Sequence, residues 1–235
     1  MALVRLDRAL ANSGIGSRTE VRVLINRGRV QVAGVVVRDP AAKCDPLLVM
    51  VDDEPLDHPS GVLVALHKPV GYTCSHDGRE APLVDELLPA AWAGRTPRPE
   101  WVGRLDRDTS GLLIVTDDHQ LLHRLTSPRH HVEKVYEATL DRAVPDAAVE
   151  QFATGLVLAD EPDKPCLPAQ LTIISELMVR VVLREGRYHQ VRRMLAAVGS
   201  TVLTLHRTEF GPWRLDASGL GLAPGAWCDV ERPLA

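Results

Sequence analysis

Apolar positions recur along this chain with two different periods. Over 18–27, Val21, Leu24 and Ile25 give the i, i+3, i+4 stripe of an amphipathic helix, with Ser17 and Glu20 as a capping box ahead of it and Gly28 as its stop. A shorter helix is expected over 5–12. RVQVAGVVV alternates with period two around Ala33-Gly34, which predicts a β-hairpin, and LLVMV at 47–51 predicts a further strand. From 52 to 61 the periodicity stops and DDEPLDHPSG reads as a linker. Beyond it, strands are expected in VLVALH, LLIVT, KVYEATL, MVRVVL and TVLTLHR, and helices over 83–88, 118–125, near 146–154 and over 188–198. Strands and helices do not alternate strictly enough for a doubly wound sheet. The predicted class is α+β, with a mixed, largely antiparallel sheet flanked by helices. No internal repeat or low-complexity tract is present.

Composition changes this picture in two ways. A chain of 235 residues that is 45% hydrophobic and 25% charged supports one substantial core and leaves room for a second small domain. No apolar run approaches the roughly 20 residues that span a bilayer, and MALVRLDRAL carries charge where a signal peptide needs an apolar core. A cytoplasmic protein without membrane contact is expected. Cys44, Cys74, Cys166 and Cys228 are scattered singly, so reduced, unligated thiols are expected. The net charge of -4 is unevenly distributed: residues 1–45 hold eight Lys/Arg against four acids, a local +4, which leaves -8 for the remainder. A basic head on an acidic body suits a polyanionic partner, although a solvated basic face would look the same.

Two stretches carry candidate chemistry. In GRLDRDTSG, residues 103–111, Asp106, Asp108, Ser110, Gly111 and Asp117 fall at EF-hand spacing, but Pro97 and Pro99 break the helix that a calcium loop needs before it, and LLIVT continues as a strand. The remaining readings are a catalytic carboxylate or aspartates that only cap local backbone N–H groups. In LREGRYHQVRRMLAAVGS, Val191, Met194, Leu195 and Val198 form a helical stripe ended by Gly199. Arg192 falls on the flank of that stripe, where it can reach a partly buried carboxylate or simply snorkel, and Arg193 points outward. His130, His131 and His189 lack an HxxxH or cysteine partner set, so no metal site is expected.

RLDRALANSGIGSRTEVRVLINRGRVQVAGVVV resembles the S4 domain, a small module that docks structured RNA. GRLDRDTSGLLIVTDD, SPRHHVEKVYEATL and EGRYHQVRRMLAAVG, in that order, resemble the ribosomal RNA pseudouridine synthases, and the two resemblances together cover nearly the whole chain. They imply an S4-like RNA-binding domain at 1–55, a linker at 56–61 and a catalytic domain at 62–235. TSPRHHVEK, and EGRYHQVRRMLAAVG followed by LHR, look most like the small-subunit type, which isomerises one uridine of 16S rRNA, uridine 516 by that resemblance.

The resemblance assigns Asp106 as catalytic aspartate, Tyr136 as active-site tyrosine and Arg192 as the basic partner of the aspartate. Arg104, Arg129, Lys134, Arg187 and Arg193 are expected on RNA phosphates, with Arg18, Arg22 and Arg27 in the head. It implies no cofactor, and as partner ribosomal RNA, within a small-subunit assembly intermediate, bound by a monomer. One carboxylate suffices for the chemistry, because the uracil that leaves C1′ is retained and reattached through C5, whereas glycoside hydrolysis ordinarily uses two. The aspartate either attacks the sugar or removes the 2′ proton. Two alternatives stand beside this reading: a large-subunit (23S) rRNA synthase, or a ribosome-assembly protein that grips RNA without catalysis. His67, ahead of Lys68-Pro69, departs from the Asn expected in the family.

Overall fold

The computed structural model describes residues 3–216 and 218–233; the outer limits of the expected domains, 1 and 235, lie outside them. The chain divides into two compact units.

One unit takes residues up to 63 together with 88–100 and 115–122. The helix Arg18–Asn26 starts at the expected capping box, Ser17 N–H donating to Glu20 Oε2 at 2.8 Å and Glu20 N–H to the Ser17 hydroxyl at 3.3 Å. Its Val21 and Ile25 meet Leu6 and Leu10 of the helix Leu6–Asn12, and Val30 and Val49 close this core; all six are essentially unexposed. The hairpin Val30–Val32 and Val35–Val36 turns at Ala33 and Gly34, both with positive φ (51° and 78°), the geometry that tight two-residue hairpins require. The strand Val49–Val51 pairs with Val30–Val32 as well.

Much of the stretch read as a linker is structured. Glu54–Pro55 pairs with Met50 and Val51, and Leu56 is buried in the head's core. Arg95, itself buried, donates to the carbonyls of Asp57 and His58 at 2.9 Å each and pairs with Asp117 at 3.2 Å, while Asp117 Oδ1 accepts from Val62 N–H. One arginine fork therefore pins residues that composition alone marks as free.

The other unit takes 64–87, 101–114 and 123 onward. It holds most of a nine-stranded sheet, whose main path runs Gln170–Ser175, Met178–Leu183, Lys134–Leu140, Val202–Phe210, Thr109–Thr116, Leu63–Lys68 and Trp227–Asp229. Lys134–Leu140 is antiparallel to both Met178–Leu183 and Val202–Phe210, but Val202–Phe210 runs parallel to Thr109–Thr116, so the sheet is mixed and the class α+β, as predicted. Gly111, in the parallel pair, has φ +118°, and a Cβ there would sit 2.2 Å from the Arg207 carbonyl oxygen. Only glycine allows these backbones to approach so closely. The helices Ala147–Thr154 and Gln190–Ala197 pack Phe152, Val191, Met194 and Leu195 against Ala138, Leu140, Val179 and Val181. A second cluster gathers Leu66, Cys74, Val84, Leu105 and Leu113, with Tyr136 between the two cores. No helix among the described residues is long and apolar enough to cross a membrane.

Candidate active site

Asp106 lies in the irregular turn between Trp101 and the Thr109–Thr116 strand. Its turn is fixed from beneath by Lys68, the last residue of its strand, which is wholly buried and donates to the carbonyls of Thr109 (2.7 Å), Asp106 (3.0 Å) and Pro69 (3.1 Å). Burial lowers the Lys68 ammonium to about 8. Gly71 N–H donates to the Arg107 carbonyl at 2.7 Å and Arg107 Nε returns a bond to the Gly71 carbonyl at 3.1 Å. The HKPVG segment thus grips the aspartate's turn on both sides. Thr109 N–H also donates to the Asp106 carbonyl, so the backbone around the carboxylate is heavily constrained.

The carboxylate is about a third exposed and faces a cavity of about 300 Å³ in the second unit. Tyr136, on the Lys134–Leu140 strand, lines the same cavity, as do Arg104, Lys134, Arg187, His189, Arg207 and Phe210. Tyr136 stands opposite Arg207 in the register of the neighbouring strand. Lys134 Nζ donates to the Val132 carbonyl at 2.8 Å and lies 5.7 Å from the Phe210 ring centre; burial first, and the nearby Arg207 charge second, lower it to about 8.

Three expected positions are corrected by the geometry. Arg192 does not pair with Asp106: its guanidinium sits 2.8 Å from Asp108, with a further bond to the Val202 carbonyl. The group beside Asp106 is His189, whose Nε2 lies 3.4 Å from Oδ1. His189 is held at φ +48° immediately before the Gln190–Ala197 helix, and this left-handed residue aims the imidazole back at the turn, while Arg192, three positions on, reaches the next aspartate. Arg193 does not point freely outward but is largely covered and pairs with Asp160 (2.5 Å) and Glu161 (2.8 Å). Arg187 reaches the cavity wall, but its guanidinium is saturated by Glu185, Glu161 and the carbonyls of Lys164 and Pro165. Arg187 is committed to these partners and Arg193 to Asp160, Glu161 and the Tyr188 carbonyl, with its Nε buried, so neither presents an open guanidinium to phosphate. Arg104 and Arg129 are exposed, as are Arg18, Arg22 and Arg27 in the head unit, where Arg22 lies 3.7 Å from Asp7.

Lys68, beneath the aspartate's turn, and Arg207, on the cavity wall, carry no assignment from the sequence. Lys68 is visible there only as a lysine before Pro-Val-Gly. Arg207 has a signal: in TVLTLHR it shares the strand face of Leu205, so a charged residue stands at an inward position. No group of three or more His, Cys, Asp or Glu side chains suited to a metal occurs among the described residues.

The sequence and fold match known proteins. The family model for RNA pseudouridylate synthase matches residues 62–197, and the S4 domain model residues 4–46. The chain belongs to the RNA pseudouridylate synthase family. The enzyme is 44% identical to the ribosomal small subunit pseudouridine synthase A of Escherichia coli K12, over 98% of this chain and 96% of that one. It is 36% identical to an uncharacterised RNA pseudouridine synthase of Bacillus subtilis, over 97% and 95%. A crystal structure of a pseudouridylate synthase superposes with a TM-score of 0.67 at 34% identity, covering 97% and 96%. Asp106, Tyr136 and His189 therefore line the cavity of a pseudouridine synthase, with Lys68 buried beneath the aspartate's turn.

Proposed function

We propose that this synthase isomerises a uridine of 16S rRNA, uridine 516, with Asp106 as the group that acts on the ribose and Tyr136 as the ring against which the extruded base stacks. The observation that carries the reading is the joint presence of Asp106 and Tyr136 on one cavity of about 300 Å³, large enough for a single flipped nucleoside and lined on its apolar side by Leu125 and Phe210. The near full-length match to small-subunit enzymes supports the choice of 16S over 23S rRNA.

Extruding the uridine costs a few kcal/mol, which RNA contacts offset. Exposed Arg104 and Arg129 on the catalytic unit and Arg18, Arg22 and Arg27 on the S4 unit are the proposed phosphate contacts. The N1–C1′ bond then breaks, the uracil turns in place, and C5 joins C1′. Asp106 serves either by attacking C1′ or by taking the 2′ proton. Lys68 holds the Asp106 backbone so that the carboxylate keeps one position through both halves of the reaction. Domains at 1–55 and 62–235, acting as RNA anchor and catalyst on a small-subunit assembly intermediate, complete the reading.

The test is carbodiimide-based primer extension on 16S and 23S rRNA fragments and on small-subunit particles. A stop at uridine 516 that needs Asp106 is the expected result. A stop only in 23S rRNA would transfer the enzyme to the large subunit, and none in any RNA would remove the reading.

A further inference from the structure

One wall of the cavity is a buried cation, Arg207. Arg207 is 2% exposed, stands opposite Tyr136 on the adjacent strand, and lines the cavity with Asp106. Its Nε donates to the Leu112 carbonyl at 2.8 Å and its guanidinium carbon lies 5.0 Å from the Phe210 ring centre, which together fix the plane of the fork. Its Nη2 is buried and meets no acceptor among the described residues, and none of their carboxylates forms an ion pair with it. Lys134, a second cation, lies against the same Phe210 ring. Folding around an unanswered guanidinium N–H is unfavourable; Thr109 Oγ1 and the Nε atoms of Arg192 and Arg193 are also buried without partners, but of these four residues only Arg207 lines the cavity, where a bound base can supply the acceptor.

We propose that Arg207 is a catalytic residue that donates Nη2–H to a carbonyl oxygen of the target uracil and stabilises the negative charge gathering on the base as the N1–C1′ bond breaks. The inference rests on the isomerase reading above and adds the leaving-group half of the reaction to it. If Asp106 attacks, an Oδ–C1′ bond forms as N1–C1′ breaks. If Asp106 takes the 2′ proton, a C1′–C2′ double bond forms instead. In both cases the N1–C1′ electron pair passes to the uracil as a monoanion spread over N1, O2 and O4. C5 of that anion then attacks C1′, releasing Asp106 or drawing back the 2′ proton, after which the C5 proton is lost and N1 regains one.

Depth assigns Arg207 to the base. Backbone phosphates remain at the mouth, where Arg104 and Arg129 are exposed, whereas Arg207 is covered and adjacent to the ring proposed to stack on uracil. A fixed donor that strengthens as charge develops favours the transition state over the bound substrate.

The experiment compares wild type and Arg207→Gln under single-turnover conditions on rRNA fragments carrying uridine or 5-fluorouridine at the target. It follows loss of the N1-linked nucleoside, with RNA affinity and melting measured alongside. Fluorine withdraws charge from the departing base, so its expulsion needs less help. Arg207→Gln is expected to lower the rate on uridine RNA by about a hundredfold or more and on 5-fluorouridine RNA by only about tenfold, with affinity within about threefold of wild type. An equal loss on both RNAs, or a loss in affinity instead of rate, overturns the proposal. Should Arg207→Gln not melt cooperatively, Arg207→Lys decides: it keeps the charge but not the fork, and its penalty, about tenfold on uridine, must again shrink on the fluorinated RNA. Wild-type turnover of uridine RNA is the control, because its absence would count against the isomerase reading and not against Arg207.

Discussion

At the scale of single residues, the environment of Asp106 separates holding from reacting. The cavity offers the carboxylate a histidine at 3.4 Å, and its main chain is tied down by Lys68, so substituting the carboxylate alone should leave the fold intact. Asp106→Asn is expected to keep RNA affinity within about threefold, since it removes a negative charge near phosphate, while the single-turnover rate falls more than about a thousandfold. Residual activity within tenfold of wild type would take Asp106 out of the mechanism. Lys68 and Lys134 set a pH dependence of the fold. Both sit near 8 against an ordinary value of 10.5, because burial disfavours their charged forms. Between about pH 8 and 10.5 the folded chain has released protons that the unfolded chain still binds, so their contribution makes stability rise with pH across that window. Urea denaturation of wild type and Lys134→Met at pH 7.5 and 9.5 checks the sign: the rise between the two pH values should be smaller in the variant.

At the scale of elements, the periodic stretches are legible in the sequence and the connections are not. KVYEATL and MVRVVL form strands at the expected limits, and the capping box at Ser17 starts its helix where the sequence places it, because local patterning and tertiary packing agree there. Gln170–Ser175 escapes the pattern because it is an edge strand with only Leu171 buried, so it shows no alternation, and Trp227–Asp229 is too short to carry a period. The misplacement of Arg192 has a similar origin. Its flank position follows correctly from 100° spacing, but which aspartate lies opposite depends on a turn whose path is set by Lys68 and Gly71, far away in sequence. Since Asp108 is largely exposed, the Arg192–Asp108 pair should contribute at most about 1 kcal/mol, much less than a buried pair with Asp106 would have. Arg192→Met is therefore expected to shift the urea midpoint little and to slow turnover through a looser turn. Gly111→Ala should behave in the opposite way. Its Cβ would strike the Arg207 backbone, so a loss of more than about 2 kcal/mol is expected in the same denaturation assay, together with displacement of the strand that carries Arg207.

At the scale of the whole molecule, the uneven charge gives the S4 unit a role that can be measured apart from catalysis. Residues 1–45 carry a net +4 on a chain of net -4, and Arg18, Arg22 and Arg27 are exposed along one helix and its end. Deleting the head is a poor test of that role. Thr96 N–H donates to the Asn12 carbonyl and Leu56 is buried in the head's core, so removing 1–55 would strip partners from 88–100 and from Leu56 within the same unit. Replacing all three arginines with glutamine leaves those bonds alone and gives up only the 3.7 Å approach of Arg22 to Asp7, whose carboxylate keeps its bidentate partner Arg5. Every arginine–phosphate pair that is removed flattens the plot of log affinity against log salt by about 0.7–0.9 units, so the triple variant should bind rRNA more weakly with a slope shallower by roughly 2–3 units. Asp106, Tyr136 and Lys68 all belong to the other unit, and single-turnover rates at saturating enzyme should match wild type. Filter binding at four salt concentrations, paired with that rate, distinguishes the outcomes. A slope unchanged from wild type would mean that this helix does not touch RNA, and a reduced saturated rate would mean that the head positions the target and does more than hold it.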